Sequence, residues 1–311
     1  MKKYFLPNIA RLIIYISAII SILFLIQWII VQLFVPQFVL LSWDGGNNII
    51  IWKESLDFAR ENEINYTYFI NGAYLIEKGM YNITKSRIDF GDNKIEERVI
   101  LIKTAYNERH GIASHGTTHE NIKSYKKELI KNDFLIMQKI FYGINITLRG
   151  YRAPFLSWNN NLFEIEELHN MSYDSSIKIK NNNFIWPWKV KKKIFEFPLI
   201  SMTDKNGIEK GSMDYEFWIA DGQDQDNKIY FKDLTYEMYI RYFEKSYKND
   251  HAPFTILNHF STDKYNDKAY WLATQDFAKT ICKKRNVRCT SMQEAVVWME
   301  KHPILYRIAS I

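Results

Sequence analysis

Gln37-Phe38-Val39-Leu40-Leu41-Ser42-Trp43-Asp44-Gly45-Gly46 reads as a buried strand that runs straight into an acid and a glycine turn. Such a near-continuous apolar run belongs in a sheet covered on both faces. A carboxylate at its end lies on the C-terminal rim of the sheet, where folds of this class place catalytic groups. Taken alone, Asp-Gly is also ordinary turn chemistry.

Upstream, Pro36 closes an apolar run from Leu12 to Val35 whose strongly polar members are Gln27 and Gln32. A helix of that length covers about 36 Å, enough to span a bilayer. No small-residue cleavage site follows it, so an uncleaved anchor is expected rather than a signal peptide. Lys2, Lys3 and Arg11 on the short flank predict a cytoplasmic tail over residues 1–11, an anchor over 12–35 and an extracytoplasmic domain over 36–311. With almost no linker, the domain is expected close to the membrane, its active face within reach of the bilayer.

Downstream, helical and extended patterns alternate. Helices are predicted over Ile50–Glu61, Glu96–Glu108, Tyr125–Phe141, Asn161–His169, Tyr270–Lys283 and Gln293–Lys301. Strands are predicted over Tyr66–Ile70, Ile112–Ser114, Ile146–Arg152, Phe195–Ile200, Phe254–His259 and Val287–Thr290. Alternation of this kind implies an α/β fold with a parallel sheet, open or closed into a barrel. Tyr74–Asn93 and Ser201–Asp233 are polar and read as long decorated loops.

The chain has 311 residues, 47% hydrophobic and 16% aromatic, and about 275 of them remain beyond the anchor, enough for one large domain or two small ones. A net charge of +6 without a basic motif leaves nucleic acid aside as a partner. Lys189 and Lys191–Lys193 read as a solvated hairpin tip, ahead of a contact with phospholipid or anionic glycan. Cys282 and Cys289 flank a helix end turning into a strand. A bridge between them is geometrically possible and would suit an oxidising compartment; two unpaired thiols are the alternative.

Three further strand ends carry chemistry. His115 and His119, four residues apart in Ile112-Ala113-Ser114-His115-Gly116-Thr117-Thr118-His119, can present two imidazoles to one metal ion. Arg152, in Gly150-Tyr151-Arg152-Ala153-Pro154-Phe155, is a fixed cation in a restrained turn. His259 ends the buried strand Phe254-Thr255-Ile256-Leu257-Asn258-His259.

In order and spacing, these patches resemble the polysaccharide deacetylase family. SWDGG resembles its Thr-Phe-Asp-Asp-Gly motif, HGTTH its His-Ser/Thr-x-x-His metal motif, RAPF its Arg-x-Pro-Tyr/Phe motif and Leu257–His259 its closing Leu-x-His motif. IASHGTTH, GYRAPFL with the later YDSS, and IWPW are similar to the branch containing animal chitin deacetylases. The resemblance covers most of residues 37–300. It implies a distorted (β/α) barrel, here preceded by one transmembrane helix. It also implies metal-dependent hydrolytic N-deacetylation of amino sugars, in an envelope polysaccharide or a lipid-linked glycan. By position, His115 and His119 would hold a divalent metal, most often zinc, which polarises the amide and acidifies water. Asp44 would be the base, Arg152 the group that orients it and His259 the acid, with Leu257, Pro154 and Phe155 against the substrate. Asp174 would contact Arg152 or a sugar hydroxyl.

One position departs from the pattern. The family motif has two adjacent aspartates, base then metal ligand, and the second is Gly45 here. A shifted register would make Asp44 the ligand and leave Trp43 at the base. Three outcomes follow: Asp44 serves both roles, water completes the coordination, or the protein is a catalytically impaired glycan-binding homologue.

Overall fold

The structure, a computed structural model, describes residues 5–83, 85–180 and 184–311; Lys2 and Lys3 lie outside them. In chain order the N-terminal elements are α1 (Phe5–Phe34), β1 (Gln37–Gly45), α2 (Ile49–Asn62), β2 (Thr67–Ile70), α3 (Ile95–Asn107) and β3 (Gly111–Ser114). Then come α4 (Lys127–Tyr142), β4 (Gly150–Tyr151), α5 (Asn160–Leu168), β5 (Tyr173–Asp174), β6 (Lys178–Ile179), β7 (Trp188–Lys191) and β8 (Ile194–Glu196). The C-terminal part holds β9 (Leu199–Thr203), β10 (Glu209–Gly211), α6 (Asp214–Ala220), α7 (Lys228–Tyr247) and β11 (Phe254–His259). It ends with α8 (Ala269–Ile281), β12 (Val287–Cys289), α9 (Met292–Lys301) and α10 (Pro303–Ala309).

The main sheet runs β11-β1-β2-β3-β4-β5-β8-β7, with β12 beside the first residues of β1. Every pairing in it is parallel except the β7–β8 hairpin. This is the distorted (β/α) barrel. The two-residue period of a strand divides β1 between two cores. Val39, Leu41 and Trp43 pack outward in the cluster that includes Trp52, Phe243 and Trp271, beneath α2, α7 and α8. Phe38 and Leu40 point inward with Phe69, Tyr173 and Phe197, above a plug formed by Met292, Val296 and Met299 of α9. Ser42 and Asp44 continue that inner face toward the rim.

Several expectations need correction. The strand predicted over Phe195–Ile200 is two strands, β8 and β9, because Phe197-Pro198 breaks the ladder where proline has no N–H to give. Of Ile146–Arg152 only Gly150 and Tyr151 pair with the sheet. The supposed loop Ser201–Asp233 contains the end of β9, β10, α6 and the start of α7. Its polarity is partly internal, since buried Lys210 bonds both Asp204 and Asp221. Lys192 and Lys193 form the tip of the β7–β8 hairpin, and Cys282 and Cys289 are joined by a disulfide.

α1 is longer than the predicted run. Ile9–Phe34 is the one helix among the described residues long and apolar enough to cross a membrane, and its most apolar 18-residue window is wholly unburied.

Candidate active site

The strand ends converge because all the parallel strands share one direction. β1 and β11 pair so that Asp44 lies beside His259, and β3 and β4 pair Ser114 with Tyr151, placing His115 and Arg152 next on the same rim. A cleft of about 580 Å³ opens there, lined among others by Asp44, His115, His119, Leu257 and His259.

Arg152 is fully buried and its donors are all but used up. Nη1 donates to Asp44 Oδ1 at 2.7 Å and to Ser42 Oγ at 3.0 Å. Nε donates to the Ser175 carbonyl at 3.0 Å and Nη2 to Ser175 Oγ at 2.8 Å. The guanidinium also lies over the Phe69 ring at 4.0 Å. A planar fork held on this many sides fixes the carboxylate that it meets. Burial alone would raise the Asp44 carboxyl, but Arg152, with His115 and His259, outweighs it and holds the pKa below the usual value.

The HGTTH turn is pinned from both sides. Asn71 Nδ2 donates to the His115 carbonyl at 2.5 Å, and the Thr117 N–H donates to Asp133 Oδ1 at 2.9 Å. Gly116 sits at φ +69°, where a side chain is disfavoured, which accounts for glycine at the motif's second position. His115 Nδ1 lies 2.8 Å from the Arg152 carbonyl oxygen. A carbonyl only accepts, so Nδ1 carries the hydrogen and Nε2 presents a lone pair. Burial lowers the pKa of His115 despite Asp44 nearby. Burial and the neighbouring His115 bring His119 to about 3. Both rings are therefore neutral at ordinary pH.

The His115 Nε2 lone pair faces Asp44 Oδ2 at 3.6 Å, two acceptors with no hydrogen between them. Two ligands about 2.1 Å from a tetrahedral ion stand about 3.4 Å apart, so this gap fits a shared cation. The His119 ring is 5.0 Å from that of His115. Among the described residues no three His, Cys, Asp or Glu side chains form a ready-made cage. The donors at hand are thus two imidazoles and one carboxylate already engaged by Arg152, of which His115 and Asp44 alone stand at a ligand-to-ligand distance.

Gly45 is not a simple deletion of the second acid. It lies at φ +115°, followed by Gly46 at +110°, so the turn has taken a path that L residues rarely follow. A Cβ at Gly45 would meet only ordinary contacts at 3.8 Å, so backbone strain rather than lack of space opposes an aspartate there.

Across the cleft, His259 Nδ1 donates to Asp214 Oδ1 at 2.6 Å and its backbone N–H donates to Oδ2 at 2.8 Å. Burial would depress this imidazole, but Asp214, then Asp44, reverses the effect and raises its pKa above the ordinary value. Asp214 opens α6 inside the stretch read as loop, so sequence reasoning missed it; an acid beginning a helical run was the available signal. Leu257 lines the cleft with Met213, whose residue bridges to it. Phe155 does so too, at φ +59° and stacked edge-on against His119, whereas Pro154 packs behind the Gly116 turn. Asp174 does not reach Arg152 or the cleft. It is wholly buried and accepts from the Ser176 N–H and Oγ, and Ser175 is the YDSS residue that meets Arg152.

The polysaccharide deacetylase family model matches residues 35–173, the segment that carries Asp44, His115, His119 and Arg152. That match spans 139 of the 311 residues, and over it this chain resembles the polysaccharide deacetylase family. That likeness supports glycan deacetylation as the class of reaction. Among solved structures, a protein assigned as a polysaccharide deacetylase from Mycobacterium smegmatis is similar at a TM-score of 0.59 and 13% identity, over 86% of this chain and 92% of that one. A variant of peptidoglycan deacetylase PdaC from Bacillus subtilis is similar at 0.50 and 14%, over 88% and 96%. BA3943, a CE4 family pseudoenzyme from Bacillus anthracis, is similar at 0.49 and 12%, over 84% and 66%. These likenesses are of fold. No curated protein matches the sequence.

The pairing of His259 with Asp214 carries a prediction. Asp214→Asn removes the charge that raises the imidazole, so the alkaline limb of the rate–pH profile is expected to move to lower pH. The rate below the new limb should fall only modestly, within about tenfold. A profile of kcat/KM against pH from 5 to 9 checks this; an unmoved alkaline limb would mean that His259 is not the titrating acid.

Proposed function

We propose that this chain is a deacetylase that hydrolyses the N-acetyl groups of amino sugars in a polymeric envelope glycan, while held by α1 on the extracytoplasmic side of a membrane. The observation that carries the reading is the pair of opposed, oppositely tuned groups at one rim: Asp44 held toward its ionised form by Arg152, and His259 held toward its protonated form by Asp214. Amide hydrolysis needs a base for the attacking water and an acid for the leaving amine.

Asp44 takes the proton of the water, and Arg152 keeps its carboxylate turned to the cleft. His259 delivers a proton to the departing nitrogen. Leu257 and Met213 form an apolar wall suited to the acetyl methyl. Exposed Tyr215 and Phe155 offer aromatic faces to sugar rings. His115, His119 and Asp44 would hold a divalent ion such as zinc, which when bound supplies polarisation of the amide and acidifies water. The pleat supports Asp44 as the base, since Trp43 turns outward against Trp271, at 4.6 Å between ring centroids, and cannot share the rim.

The direction of β1 bears on the expectation that the active face lies within reach of the bilayer, and argues for a cleft that stands off it. The strand's first residue adjoins α1 and its last residues form the catalytic rim. From Gln37 to Asp44 the strand advances about 23 Å away from the anchor. That favours a polymer standing off the membrane over a lipid-linked sugar. The missing second acid, with no ready-made three-ligand cage among the described residues, favours one second reading: a homologue that binds glycan without turnover.

The test uses the full chain, stripped by chelator and then given zinc, cobalt or manganese singly. Acetate release from N-acetylglucosamine oligomers and from envelope glycan is expected to depend on metal and to vanish in His115→Ala. Retained activity in that variant would sink the proposal. Tight glycan binding with no release under any metal would favour the binding homologue.

A further inference from the structure

α1 does not part from the domain at its last turn. Gln27 Nε2 donates to the Ile308 carbonyl at 2.8 Å, Trp28 Nε1 to the Lys248 carbonyl at 3.0 Å, and Gln32 Nε2 to the Asn249 carbonyl at 3.1 Å. In return the Val35 carbonyl accepts from Asn286 Nδ2 at 2.7 Å and from His251 Nδ1 at 2.6 Å. Val31 and Val35 are buried in the lower core.

The opposite side of these same two turns stays apolar and bare, with Leu33 56% and Phe34 61% exposed. The water-avoiding surface of α1 therefore runs about 10 Å past Gln27, seven residues at the helical rise. Anything touching α1 at Gln27 lies alongside that surface rather than above it. The element there is α10, which packs on α1 and whose last-turn carbonyl is capped by Gln27.

α10 and the residue that ends the chain present two large apolar side chains outward, Ile304 at 74% and Ile311 at 88% exposed. Lys301 and Arg307 flank them, and Lys248, Lys283 and Arg285 are exposed around the α1 contact. The nearby acids are Glu300, which is exposed, half-buried Asp250 between Asn249 and His251, and Glu244, which already pairs with Lys284 and Lys248. Apolar tips among mostly basic neighbours suit the headgroup zone of a bilayer.

We propose that α10, with the basic residues beside it, is a second membrane contact that lies in the bilayer interface next to α1 and meets lipid headgroups. The proposal rests on reading α1 as a membrane span. It makes the domain stand on the end of its sheet where the strands begin, with the cleft turned away from the membrane. A single helix would leave that tilt free; a second contact holds it.

Both native cysteines are in the disulfide, so a cysteine added at an exposed position can be labelled singly. The full chain carrying Ile304→Cys or Ile311→Cys, each with a bimane label, is placed in phosphatidylcholine–phosphatidylglycerol vesicles with spin-labelled lipid. Asp263→Cys, on the loop after β11 at the catalytic rim, is the comparison. Quenching of the two α10 labels at least about threefold above that of the rim label is expected for interfacial residues. Equal quenching at all three positions, with the chain retained in carbonate-washed vesicles, would overturn the proposal and leave the anchor standing. Release of the chain by carbonate would overturn the anchor and this proposal together.

Discussion

Asp44→Asn is expected to lower kcat/KM by about 10³-fold, the scale of a lost general base. The amide keeps the shape of the carboxylate and still accepts from Arg152 Nη1, so the rim keeps its geometry. It has no lone pair basic enough to take a proton from water. It also leaves the buried Arg152 guanidinium without a counter-charge, because the other partners of Arg152, Ser42 and Ser175, are neutral. A stability loss of about 1–3 kcal/mol should therefore accompany the loss of rate. Steady-state kinetics and urea denaturation on one preparation separate the two. A variant that keeps wild-type kcat/KM would show that Asp44 is not the base.

Arg152→Met is expected to have the largest effect on stability. It removes one partner of a fully buried pair and strands the other, which costs about 3–5 kcal/mol. The sign of the pH dependence tests the cause. In the native chain the folded-state pKa of Asp44 is depressed, so its contribution is present above the unfolded carboxylate pKa and fades as pH falls through the folded value. Without Arg152 the burial of Asp44 meets less opposition, and the folded pKa rises. The folded form then favours the protonated acid, and the variant loses stability as pH rises past the unfolded carboxylate value. Its deficit should be smaller near pH 4 than at pH 8, measured by denaturant unfolding at the two values. An equal deficit at both would point to lost packing and hydrogen bonds rather than to the stranded charge.

Much of this was legible in the chain because it is local. β1, β3 and β11 each announce themselves as short buried runs, and each ends in the residue that reaches the rim: Asp44, His115 and His259. The His115–His119 spacing and the Arg152-Ala153-Pro154 turn are contiguous, so their chemistry reads directly. α7 was overlooked although its buried positions, Phe231, Leu234, Thr235, Met238, Tyr239, Tyr242 and Phe243, follow helical spacing. Tyrosines and charges between them hid the stripe, and packing against α8 supplies the stability that propensity did not advertise. Pro198 was visible too, and its missing N–H should have ended the predicted strand.

What only the tertiary structure decided concerns partners far apart in sequence. Asp214 meets His259 across 45 residues, and Ser42 meets Arg152 across 110, because strand register and curl bring them together. The choice of Ser175 over Asp174 as partner of Arg152 turns on the two-residue period of a strand, in which a shift of one position faces the opposite way. The separation of the cleft from the end of α1 follows from the direction of β1, which no local pattern states. Sequence by itself determined the rim strands β1, β3 and β11 with their reactive ends, and carried the family resemblance, since these depend on neighbours along the chain. Tertiary packing decided which charges pair and which carboxylate faces the cleft, since these depend on neighbours in space.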